Sequence, residues 1–175
     1  LLSFRGELLV RRLIRELQSL HLVELIVVTG AHSANVESAI ADLPVITAHN
    51  PAWEAGMGGS VATGVEAATS REVAPDAVLL TLADQPLIEA AHLRLLCQQG
   101  KEHPASIVAA AYEGTVGVPA LFPSAFFSEL QALKGHKGAK PLFARYRGNM
   151  LAYPIPEAAF DVDTPEDYQS LLKRE

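Results

Sequence analysis

The chain has 175 residues, 49% hydrophobic and 19% charged, which suits one domain with a real core and excludes a disordered polypeptide. Lys and Arg number 14 against 20 Asp and Glu, a formal charge of −6, which argues against a broad basic surface for a nucleic-acid backbone but leaves room for a local phosphate-binding cluster. The single cysteine, Cys97, allows no intrachain disulfide and no all-cysteine metal site, so a reducing cytoplasm is the expected setting. No apolar run approaches the roughly 20 residues of a membrane span, and no leader is visible, so no membrane partner is expected. The chain opens on "LLSFRGELLVRRLI", without an initiator Met or a polar tail, and the parent protein is expected to begin upstream.

Residues 7–20 carry Leu9, Leu13, Leu17 and Leu20 at helical spacing. The apolar run 23–29 predicts a strand that stops at Gly30, and Ser33 can cap a helix reaching Ala41. Strands are expected at 44–47, 77–82, 106–111, 118–122 and 150–155, with helices at 60–69, 89–99, 124–132 and 137–146. Thr164 would cap a last helix, with Pro165 in its first turn. Alternation of this kind, with nearly continuous apolar strands, predicts an α/β chain whose mostly parallel sheet is covered by helices on both faces. Ligands of such sheets sit outside the carboxyl ends of the strands. The loops after Thr29, after His49 and around Asp84 lie there.

Four stretches carry chemistry. "VLLTLADQPLI" delivers Asp84 to a turn stiffened by Pro86. An aspartate there is either a turn former or a ligand for a hard cation such as Mg2+, which takes one or two carboxylates and completes its shell with water and phosphate. "FDVDTPED" holds Asp161 and Asp163, on one face if extended, while Thr164, Glu166 and Asp167 fit a helix cap. "NPAWEAGMGGSVATGV" crowds Gly56, Gly58 and Gly59 before a helix and Ser60, where backbone N–H groups can approach an anion, although a flexible loop has the same composition. Trp53 reads as a loop anchor. "LKGHKGAKPLFARYR" gathers Lys134, His136, Lys137, Lys140, Arg145 and Arg147, either a solvated helix face or a phosphate site. The histidines show no metal spacing.

In this order, "NPAWEAGMGGSVATGV", "LTLADQP", "GVPALF", "LKGHKGAK" and "DVDTPEDY" resemble the MobA-like nucleotidyltransferases, closest to the MocA-type molybdenum cofactor cytidylyltransferases. The resemblance covers nearly the whole chain. It implies a Rossmann-like three-layer sandwich forming one nucleotidyltransferase-like domain over 1–175, with the family's first strand and its nucleotide loop (LAAGxSxRMGxPK) expected just before Leu1. It also implies transfer of a nucleoside monophosphate, CMP from CTP rather than GMP from GTP, to a phosphorylated pterin-type acceptor such as molybdopterin, with pyrophosphate release. A molybdoenzyme or its maturation factor would be a further partner.

By the same resemblance Asp84 and Asp161 or Asp163 would hold Mg2+, and Gly56, Gly58 and Ser60 would lie near the nucleotide together with Asp84. Gly117, Val118 and Pro119 would face the acceptor. Lys137 and Lys140, around Gly138, would meet phosphates in catalysis, with Lys137 also on the acceptor. His136 stands where the family more often has Asp. Positioning and charge neutralisation suffice for such chemistry, which accords with the lack of a Ser–His–Asp set. Rival readings are a sugar-nucleotide enzyme of similar fold, a binding or carrier module without catalysis, and a haloacid-dehalogenase-like phosphatase. The last rests on "DVDT", which in those enzymes belongs near the amino end.

Overall fold

The computed structural model describes residues 1–22 and 24–174. Strand β1 (Ser3–Phe4) turns through Arg5 and Gly6, both at positive φ, and pairs with β2 (Glu7–Leu8). Helix α1 (Leu9–Gln18) therefore starts two residues later than its leucine spacing suggested, because Glu7 and Leu8 are spent in the hairpin. Next come β3 (Ile26–Thr29), α2 (Ser33–Ile40), β4 (Ile46–His49) and α3 (Met57–Thr69). Val23, the expected first residue of β3, lies outside the described residues. Then follow β5 (Ala77–Leu80), α4 (Ala90–Glu102), β6 (Ile107–Tyr112) and β7 (Thr115–Pro123). The chain closes with α5 (Phe127–Gln131), α6 (Lys140–Arg145), β8 (Met150–Pro154) and α7 (Pro165–Leu172).

The fold is α/β, but its pairing corrects the expectation of a mostly parallel sheet. Strands β3 and β4 pair in parallel, with Ile26 opposite Ile46 and Thr29 opposite His49. The larger sheet is mixed, in the order β5-β7-β6-β8, with β7 antiparallel to both neighbours and β6 parallel to β8. The cause is local. Only Glu113 and Gly114, at φ 47° and 74°, separate β6 from β7. A two-residue connection can only send the chain back antiparallel, whereas a parallel return needs a crossover of a dozen residues or more.

Helices do cover both faces of this sheet. Ile107 and Ala109 point into a core with Val65, Phe122, Leu130 and Phe143, while Val108 and Ala110 point into one with Leu93, Leu96, Leu121 and Ile155. That period-two alternation places α3, α5 and α6 on one side and α1 and α4 on the other. Among the described residues no helix is long and apolar enough to cross a membrane. Strands β5, β6 and β8 run the same way, so the Asp84 turn, the hairpin into Gly117 and the segment to Asp163 share one edge.

Candidate active site

Strand β5 leaves its ladder at Leu80, opposite Ala120, two residues short of the expected end. The next partner would be Pro119, which has no N–H to donate. On its other side β7 shifts register between Ala109 and Ala110 of β6, so Ala120 and Gly117 are paired but Val118 and Pro119 are not. The Val118 carbonyl is thus left for a side chain. Gln85 takes it, its Nε2 lying 3.4 Å from Val118 O and 2.9 Å from Ala158 O. The Asp84 carbonyl accepts from Val162 N at 2.9 Å, and Arg12 Nε donates to Pro86 O at 3.1 Å. The turn is therefore held by α1, by β7 and by the segment that carries Asp161 and Asp163.

Asp84 Oδ1 is buried without a hydrogen-bond partner among the described residues. Burial first, then the Asp161 charge, pushes the carboxyl up to about 6; a backbone hydrogen bond opposes the rise and Asp163 adds to it. Asp161 is also raised, chiefly by burial, with the Gln85 amide opposing, Asp163 adding and Lys140 opposing. The structure thus brings Asp84, Asp161, Asp163 and Lys140 into one electrostatic neighbourhood. A buried carboxylate oxygen without a donor, beside further carboxylates, suits a cation. Among the described residues no three His, Cys, Asp or Glu side chains form a ready metal cage. A divalent ion would therefore take one or two carboxylates and fill its shell from water and phosphate, the manner of Mg2+.

Other predicted residues are placed differently. Thr164 caps α7 by accepting from Asp167 N at 3.1 Å, while its own N–H donates to Asp167 Oδ2 at 2.9 Å, so capping accounts for both. Gly56 and Gly58 lie against backbone. A Cβ on Gly56 would stand 2.5 Å from Gly135 C, one on Gly58 2.7 Å from Lys134 C, and Gly58 N donates to Gly135 O at 2.8 Å. Their smallness lets the glycine loop dock on the basic loop, and α3 starts at Met57 rather than Ser60. Ser60 Oγ accepts from the buried Asn50 amide at 3.1 Å.

Lys134, Lys137 and Lys140 are exposed and make no ion pair closer than 4 Å among the described residues. Arg145 is committed to Glu129 at 2.6 Å, with the Tyr146 hydroxyl on the same carboxylate. Trp53 is 42% exposed, and its Cβ lies 2.6 Å from where a Cβ on Gly30 would stand.

Arg12 and Tyr112 lie outside the quoted motifs, and Gln85 lies inside the DQP turn. Arg12 and Gln85 are buried polar groups whose partners are distant in sequence. The Tyr112 hydroxyl occupies the space a Cβ on Gly117 would need, and its pKa is raised by burial and then by Asp161. The hairpin sets 112 and 117 on one face.

Residues 1–150 match the MobA-like NTP transferase domain. The chain belongs to the MobA-like NTP transferase family. It is 34% identical over 125 residues to purine catabolism protein PucB of Bacillus subtilis (strain 168). That match takes in 69% of the chain and 58% of PucB, so the chain spans less than two thirds of this relative. Rv0371c of Mycobacterium tuberculosis H37Rv, solved in complex with manganese, superposes with a TM-score of 0.82 at 26% identity, covering 100% of this chain and 91% of that one. A nucleotidyl transferase of Methanothermobacter, Mth528, gives 0.82 at 21% identity over 99% and 83%, a likeness of fold. In this MobA-like chain the turn of Asp84 lies inside the matched region, and Asp161 and Asp163 lie beyond it.

Proposed function

We propose that this MobA-like chain is part of a nucleotidyltransferase that moves a nucleoside monophosphate, CMP from CTP ahead of GMP from GTP, onto a phosphorylated acceptor of the pterin type and releases pyrophosphate. The observation that carries this reading is the buried Asp84 oxygen at the sheet edge, without a partner among the described residues, beside Asp161, Asp163 and Lys140. The motif order shared with the MocA-type cytidylyltransferases supports CTP and the pterin acceptor.

Asp84, with Asp161 or Asp163, would hold Mg2+, which when bound offsets phosphate charge. The manganese in Rv0371c supports a divalent ion in this family member too. Lys140 at the start of α6, whose charge is felt by Asp161, and Lys137 in the exposed loop before it hold phosphate oxygens as point charges. Gly117, Val118 and Pro119, backed by Tyr112 and Gln85, form the acceptor wall. Gly56 and Gly58 fix the start of α3 against the basic loop, and in this reading the nucleotide lies by Gly56, Gly58 and Ser60. The reaction is placed in the cytoplasm, with a molybdoenzyme or its maturation factor taking the product.

The test is Asp84→Ala in the full-length protein, assayed by pyrophosphate release with CTP or GTP, Mg2+ and molybdopterin. Turnover should fall at least ~100-fold, a loss of about 2.7 kcal/mol in transition-state stabilisation. Near-normal turnover would sink the role given to Asp84.

A further inference from the structure

Gln85 is 4% exposed, as buried as many core side chains, and both ends of its amide need an account. The donor end joins two elements. Val118 O belongs to the bulged start of β7, beside Gly117 and Pro119, and Ala158 O belongs to the 3-10 turn Pro156–Ala159 that leads into Asp161. Among the described residues Gln85 Oε1 is buried without a partner, and so is Asp84 Oδ1 of the preceding residue. A buried polar atom left unsatisfied is costly, and two in consecutive residues point to a donor or cation that arrives from outside.

We propose that Gln85 is a positioning residue: its amide N–H group registers the Asp84 turn with strand 117–119 and with the segment carrying Asp161, and its Oε1 accepts a hydrogen bond from the water shell of a divalent cation at Asp84. The inference rests on the reading of Asp84 as a cation ligand. Partners of this outer kind orient the direct ligands, and their removal characteristically weakens metal binding by about 10- to 100-fold.

Binding of Mn2+ alone, followed by electron paramagnetic resonance, needs no substrate and no turnover. Wild type is compared with Asp84→Asn, Gln85→Met, which keeps bulk without hydrogen bonds, and Gln85→Glu, which keeps an acceptor but not the amide donor. Amide hydrogen exchange over 158–163 is measured in parallel. Gln85→Met should bind Mn2+ at least ~10-fold more weakly than wild type, and Gln85→Glu should bind ~5-fold or more tightly than Gln85→Met. Both Gln85 variants should exchange faster at 158–163 while β6 keeps its protection.

If Asp84→Asn loses Mn2+ and Gln85→Met does not, the inference falls and the cation reading of Asp84 stands. Equal binding by wild type and Asp84→Asn overturns both. Faster exchange spread over β6 as well would make Gln85 a packing residue and overturn the positioning role.

Discussion

Asp84 holds its proton near pH 6 because the turn buries it and sets two more carboxylates in reach. An unfolded aspartate titrates near about 3.9, so between roughly pH 4 and 6 the native chain binds more protons than the unfolded one. Stability must then decline as pH rises through that window and level off above it. Asp161 is shifted the same way and steepens the slope. Asp42, held down to about 2 mainly by its hydrogen bonds from Arg11, pulls in the opposite direction, but only below the ordinary aspartate range. The melting temperature should therefore drop between about pH 4 and 6, and Asp84→Asn should remove most of the drop. Mg2+ at neutral pH should raise the melting temperature of wild type and leave Asp84→Asn unchanged. Superimposable pH profiles for the two proteins would mean that the carboxyl is solvated.

At the scale of elements, the docking of the glycine loop on the basic loop decides what two sequence signals mean. Gly56, at φ 111° with Gly135 C only 2.5 Å from its would-be Cβ, and Gly58 read in the sequence as room for a ligand. Composition shows that backbone comes close at a glycine but not whose backbone it is, and the partner here is a loop far along the chain. The same limit hid Arg145, which is held by Glu129 rather than free for phosphate. Local chemistry was legible: Thr164, Pro165 and Asp167 form the cap their spacing announced. Gly58→Ala should push Lys134 away from the start of α3, with overpacking of about 2 kcal/mol measured by urea unfolding. A fall in nucleotide affinity without loss of stability would instead return Gly58 to the ligand.

Across the whole molecule, apolar periodicity announced the helices, the strands and an acid at a strand end, because burial on two faces writes itself into sequence. Pairing order was not legible, since the direction of β7 depends on the two-residue turn at Glu113 and Gly114 rather than on any apolar pattern. Nor was the brace from the first helix to the site. Arg12 is 9% exposed, donates to Pro86 O at 3.1 Å, and sets its guanidinium 5.6 Å from the centre of the Phe4 ring. A charged donor buried against a carbonyl contributes about 1.5–3 kcal/mol, and losing it strands an acceptor.

Arg15, one turn on, is half exposed and bridges Glu7 at 3.1 Å and Glu16 at 3.0 Å, pairs whose arginine end is screened by water and worth under about 1 kcal/mol each. The two arginines therefore separate a brace from surface decoration. Arg12→Met should lower unfolding free energy by about 2 kcal/mol, whereas Arg15→Met should stay within about 0.5 kcal/mol of wild type. If the Arg12 bond is what seats the turn, hydrogen exchange at Ile88, whose N–H donates to Gln85 O at 3.2 Å, should quicken in the first variant and not in the second. Equal, small losses in both would place the hold on the Asp84 turn in Gln85 and Val162 alone.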